Sequence, residues 1–255
     1  MQVTDILQSL FRWIHVVAGV LWIGHLYFFN FVNGPFEALL DAETKKKVVP
    51  ELMPRALFWF RWGAAWTWVS GLFLLMVVFY HGGALLDNPS QGWTLPVIVM
   101  VAVTFAATHL YDRLMKSSLA KKNMKAAIGI GFVLIATIAC LMSHWAGFSY
   151  RGYSIHIGAL FGTIMAFNVW FRIWPAQQKI IAAVKNGEKP DADLVAMAGL
   201  RSRHNTYLSV PLIWTMLNQH TTWSSACVSC LLAAIIVSWI VVNRLYKKAG
   251  QVKGL

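Results

Sequence analysis

The chain has 255 residues, 58% of them hydrophobic and 13% charged, with 22 lysines and arginines against 10 acids and a formal net charge of +12. Soluble globular domains do not combine so large an apolar fraction with so few charges, so the composition defines an integral membrane protein. Its three cysteines exclude a disulfide framework, and its positive charge sorts by loop, as orientation in a membrane requires, which leaves nucleic acid without a role as partner.

A bilayer crossing takes about 20 apolar residues. Seven runs approach that length: roughly 6–33, 56–80, 94–114, 126–147, 153–174, 205–221 and 225–243. The expected fold class is all-α, a polytopic membrane bundle of about seven transmembrane helices in a single integral membrane domain over residues 1–255.

The first run, FRWIHVVAGVLWIGHLYFFNFVN at 11–33, carries Arg12, His15, His25, Asn30 and Asn33. Its apolar part is too long for a cleavable signal, no lysine or arginine precedes Arg12, and no small-residue cleavage site follows, so it is expected to stay in the membrane. The loop PFEALLDAETKKKVVPELMPRALFWF mixes acids, bases and apolar residues, which predicts a short surface helix between Pro35 and Pro50 or Pro54. Arg61 opens the second run, His109 and Asp112 close the third, Cys140 and His144 lie in the fourth, and His156 and Arg172 in the fifth. The next loop reads as two short helices flanking NGEKPDAD, where Gly187 and Pro190 break the pattern. The sixth run is the shortest and holds Pro211 between Asn205 and His220. The seventh begins at C-V-S-C, where Leu231 stands in place of the histidine that covalent haem attachment needs. At this i, i+3 spacing Cys227 and Cys230 share a helix face, where a redox or metal role competes with small-residue packing.

Lys45, Lys46, Lys47 and Arg55 lie in the first loop, Lys116, Lys121, Lys122 and Lys125 in the third, Lys179, Lys185, Lys189, Arg201 and Arg203 in the fifth, and Arg244, Lys247, Lys248 and Lys253 after the last run. The other loops hold only Arg151. The positive-inside rule then puts the N-terminus outside and the C-terminus inside. Trp13, Trp59, Trp62, Trp93, Trp174 and Trp223 sit near run ends as interfacial anchors, while Trp22, Trp66 and Trp145 lie deeper or beside histidines.

This topology gives each histidine a depth. His15 and His25 are about 15 Å apart along their helix and roughly 80° apart around it, so one helix reaches both leaflets. His25 and His109 match in depth on the inner side. His144 and His156 match on the outer side, with His15 and His220 alongside. Ionisable groups in hydrocarbon are costly and face the bundle interior, and neutral imidazole is an axial ligand for haem iron, so these six residues are the candidate ligands of one or two non-covalent b-type haems. Which of them pair is left open, as is a packing role for any one.

The stretches RWIHVVAGVLWIGHLYFFNFVN, HIGALFGTIMAFNVWFRIWPAQQ and LRSRHNTYLSVPLIWTMLNQH resemble the membrane domain of bacterial membrane-bound urate oxidases, also called urate hydroxylases, over residues 11 to about 243. The resemblance implies oxidation of urate to 5-hydroxyisourate without hydrogen peroxide, and electron transfer toward cytochrome c. No CxxCH occurs in the chain, so the expected acceptor is a separate cytochrome c or a quinone. Urate is a planar anion that calls for arginine, amides and a proton acceptor, which points to Arg61, Arg172, His204 and Asn205, with Asn30, Asn33, Asp112 and Arg201 near the same face. Membrane lipid is the other expected partner, and a homo-oligomer stays open. The competing classes are a histidine-lined metal or proton transporter and an accessory subunit of a respiratory complex.

Overall fold

The computed structural model describes residues 3–221 and 227–252, except for the side chain of His220. The described chain is all-α. Six helical stretches are long and apolar enough to cross a membrane: Val3–Leu39, Ala42–His81, Leu95–Lys116, Met124–Trp145, Tyr150–Asn186 and Val228–Ala249. They coincide with six of the seven expected runs and make this a multi-pass membrane protein. The remaining run, 205–221, belongs to the helix Ala192–Leu217 and the short turn Asn218–His220 that follows it.

Helix α1 (Val3–Tyr27) passes through a π-helical turn, Phe28–Asn33, into α2 (Gly34–Leu39), with Pro35 in its first turn, where a missing N–H costs nothing. Asp41 then caps α3 (Ala42–Leu74), its carboxylate accepting from the Thr44 amide at 2.9 Å and the Thr44 hydroxyl at 2.6 Å. Of the short loop helix expected between Pro35 and Pro50 or Pro54 only α2 is separate, because from Ala42 onward α3 continues through both prolines. Spaced four apart, they remove bonds along one side only, while Val49, Met53, Ala56 and Leu57 stay buried along the rest of the helix.

After α3 comes a π turn, Leu75–His81, then α4 (Leu95–Lys116), α5 (Ser118–Lys122) and α6 (Met124–Cys140), with a third π turn at Leu141–Trp145. Ser117 and Asn123 cap α5 and α6 by accepting from Ala120 N and Ala126 N. α7 (Tyr150–Asn168) runs through a fourth π turn, Val169–Ile173, into α8 (Trp174–Asn186). Left-handed Gly187 ends α8, as the NGEKPDAD break predicts, and α9 (Ala192–Leu217) follows. α10 (Val228–Ala249) is the last helix. π turns widen a helix by one residue and frequently mark functional positions. Here they carry Asn30 and Asn33, Tyr80, His144, and Trp170 and Arg172.

The chain forms two compact units. The first comprises Met1–Leu72, Met165–Val210 and Ser238–Leu255. Its core includes Trp22, Leu26, Phe60 and Ala64, and α1 lies directly on α3 at Gly63, where a Cβ would stand 3.0 Å from the Trp22 amide nitrogen. The second comprises Phe73–Ile164 and Pro211–Val237. Its core includes Met100, Met142, Ile157 and Phe161. The loop before α4 is pinned to the start of α7 by Ser149 N donating to Leu85 O at 2.9 Å and Asp87 N donating to Gly147 O at 3.1 Å. Gly152 is required there, since any Cβ would collide with the Leu85 carbonyl.

Candidate functional site

A polar stripe runs along α9 in the first unit. Arg201, Asn205 and Ser209 recur every four residues, which puts them on one helix face, and all three are buried. Asn205 accepts from Asn168 Nδ2 of α7 at 2.9 Å and donates to Met165 O at 3.0 Å. Ser209 meets the Tyr27 hydroxyl of α1 at 3.0 Å. Beside this face, Ser202 accepts from Asn30 Nδ2 at 2.8 Å, and the Tyr246 hydroxyl of α10 donates to Asn30 Oδ1 at 2.8 Å. Side chains of α1, the π turn after it, α7, α9 and α10 thus pair hydroxyls and amides across helices, as buried and partly buried polar groups require.

Arg61 lies at the side of this unit with its guanidinium carbon 4.0 Å from the Trp174 ring centre and 5.2 Å from that of Trp170. Its Nε is buried and makes no hydrogen bond among the described residues. Arg172 points differently: it lies over Phe167 at 5.1 Å, and its Nη1 donates to the adjacent Phe171 carbonyl. His204 lies outside the six candidate spans, and burial, reinforced by the charges of Arg201 and Arg203, pushes its pKa down to about 4. It is therefore a neutral imidazole at neutral pH, able to accept a proton. Asn33 donates to Glu37 and to Met53 Sδ. Asp112 belongs to the second unit, where it pairs with Lys116 at 2.9 Å.

The histidines divide by chemistry. His25 engages the Leu21 carbonyl through Nδ1 at 2.7 Å, which puts the proton on Nδ1 and leaves the Nε2 lone pair for a ligand. His15 engages Ser70 Oγ through Nδ1 at 3.2 Å, on the α3 face where Gly71 leaves room for the ring. Both fit a haem-ligating imidazole. His156 does not: it is completely buried, Nδ1 meets the Gly152 carbonyl at 2.7 Å and Nε2 accepts from the Tyr80 hydroxyl at 3.0 Å, so neither nitrogen is free. Phe79 and Phe148 pack edge-on against the same ring. His109 and His144 are exposed. His25 belongs to the first unit and His109 to the second. Among the described residues no group of three His, Cys, Asp or Glu gathers to hold a bare metal ion.

A groove of about 460 Å³ separates α1 and α3, lined by Trp13, Phe58, Trp59, Trp62 and Trp66. It offers hydrocarbon and ring faces rather than charge, and suits lipid better than an anion.

Sequence reasoning did not reach Asn168, Tyr27, Ser202, Ser209, Tyr246 or Tyr80. The four-residue spacing of Arg201, Asn205 and Ser209 is a visible signal of the buried stripe. Nothing in the sequence pairs Tyr80 with His156.

Six helical stretches fit to cross a membrane, with buried polar side chains within the first unit, define a class, the multi-pass membrane proteins. A family model described as urate oxidase N-terminal matches residues 39–253, and the chain belongs to that family. The match covers Arg61, Arg172, His204, Asn205 and every candidate histidine except His15 and His25. Comparison with curated proteins and with solved structures returned no match.

Proposed function

We propose that this protein oxidises urate within the cytoplasmic membrane of a bacterium. The reaction takes urate and water to 5-hydroxyisourate and releases two protons and two electrons. The observation that carries this reading, beside family membership, is the α9 face on which a buried arginine and a buried amide stand one helical turn apart, Arg201 and Asn205, with Asn168 meeting the amide. A planar oxyanion with ring N–H and C=O edges is recognised by such a pair, the guanidinium neutralising charge and the amides reading donors and acceptors. Neutral His204, the neighbour of Asn205 in sequence, takes one of the two protons released, the bound anion raising its basicity from the low value that burial gives it without urate. Arg61, fixed between two tryptophan rings, supplies a second cationic donor whose position costs little further ordering.

Haem b, with His25 Nε2 as one axial ligand, would supply a one-electron carrier, and His15, about 15 Å away along the same helix, would serve a second haem rather than the same one. The acceptor is a separate cytochrome c or a quinone. Purified full-length chain from haem-replete cells, mixed with urate and ferricytochrome c or a soluble quinone, should reduce the acceptor and form 5-hydroxyisourate with oxygen excluded. Urate-independent behaviour with both acceptors, together with no measurable urate binding, would refute the proposal and favour a transport role for the polar stripe.

A further inference from the structure

At the start of α10 two thiols face each other. Cys227 Sγ and Cys230 Sγ are 3.5 Å apart, and the Cys227 sulfur also lies 2.7 Å from Ser229 Oγ. Both cysteines are free, Cys227 is exposed and Cys230 partly so. The Cys230 amide donates to the Cys227 carbonyl at 3.1 Å, closing the first turn of the helix.

We propose that Cys227 and Cys230 are a redox-active dithiol that exchanges with disulfides at this membrane surface. Residues three apart on a helix have Cα atoms about 5 Å apart, inside the range a disulfide accepts, and bond formation at about 2.05 Å requires the sulfurs to close by roughly 1.5 Å, which side-chain rotation supplies. Ser229, followed by Cys230, holds the Cys227 thiol below its usual pKa by hydrogen-bonding the sulfur. The adjoining N-terminus of a 22-residue helix favours the thiolate as well. Lys247 and Lys248 occupy the opposite end of α10, so the inside-positive orientation turns the dithiol toward the non-cytoplasmic side, where disulfides persist.

The exchange has two steps. Cys227 thiolate attacks one sulfur of the incoming disulfide, forming a mixed disulfide and releasing one thiolate, which takes up a proton. Cys230, giving up its proton, then attacks Cys227 Sγ and expels the second thiolate. The dithiol loses two electrons and two protons, and the incoming disulfide gains both. This chemistry is independent of the urate reading, because no residue of the polar core takes part.

The test uses the full chain in detergent micelles, equilibrated with reduced and oxidised glutathione at graded ratios and analysed by differential alkylation and peptide mass spectrometry. A Cys227–Cys230 disulfide should form and reverse at one midpoint while Cys140 stays alkylatable. Cys230→Ser should trap glutathione on Cys227, and Cys227→Ser should capture on the order of tenfold less at Cys230. Both thiols remaining alkylatable at every ratio would overturn the proposal. So would stoichiometric binding of Zn²⁺ or Cu⁺ that shields both from oxidised glutathione, since the pair would then be a metal ligand. The wild-type measurement decides between these outcomes even if either serine variant fails to fold.

Discussion

Asn168 and Asn205 are held amide to amide at 2.9 Å, with neither side chain exposed. Replacing Asn205 by Leu removes two buried hydrogen bonds, one from Asn168 Nδ2 and one to the Met165 carbonyl. Each is worth about 0.5–1.5 kcal/mol, so thermal unfolding in detergent should shift down by a few degrees. Urate binding, followed by calorimetry, should weaken on the order of tenfold. Asn205→Leu with unaltered urate affinity would move the substrate site off this stripe.

Arg61 makes a different prediction, because its contacts are ring faces. Arg61→Gln should cost about 0.5–2 kcal/mol of stability through the lost cation–π contacts, and change the fluorescence of Trp174 and Trp170. Arg61→Lys keeps the charge but loses the planar fork, so it should restore less than half of the urate affinity lost in the glutamine variant. Equal urate affinity in all three proteins would make Arg61 a packing residue only.

His156 and His25 should part company spectroscopically. Tyr80→Phe leaves His156 Nε2 buried with no donor, at about 1–3 kcal/mol, and should lower the thermal midpoint without altering the visible spectrum. His25→Ala should remove or shift a haem band, because its Nε2 is the available ligand atom. A spectrum that changes with His156 and not with His25 would reverse that assignment.

His204 carries a pH dependence of stated sign. Its folded-state pKa of about 4 lies below the ordinary 6.5, so the unfolded chain binds more protons between those values. Its contribution to stability is therefore present above pH 6.5 and lost as pH falls toward about 4, by up to roughly 3 kcal/mol. Thermal midpoints measured across that window should fall on acidification, and His204→Gln should flatten the slope. An unchanged slope would show that His204 is not the group responsible.

The spanning helices were legible in the sequence because a bilayer imposes one simple requirement, a long apolar run, and α4 and the span Met124–Trp145 lie within two residues of the expected runs at each end. The break at Gly187 was legible too, since a left-handed turn leaves few choices of residue. The continuity of α3 through Pro50 and Pro54 was not, because proline lowers helix stability locally while the burial that overrides it comes from packing. Arg61, His204 and Asn205 could be singled out as costly polar groups near one face. Their environments could not: Arg61 lies against Trp170 of a π turn and Trp174 of α8, and Asn205 is matched by an amide 37 residues earlier.

The sequence by itself determined that this chain lives in a membrane, which end of each span carries positive charge, and which residues are too polar to face lipid. Only the tertiary structure decided what those residues touch. Hydropathy is a sum over neighbours along the chain, whereas a hydrogen bond such as Tyr80 to His156 depends on two helices meeting at one depth and one angle, and no local pattern encodes that meeting.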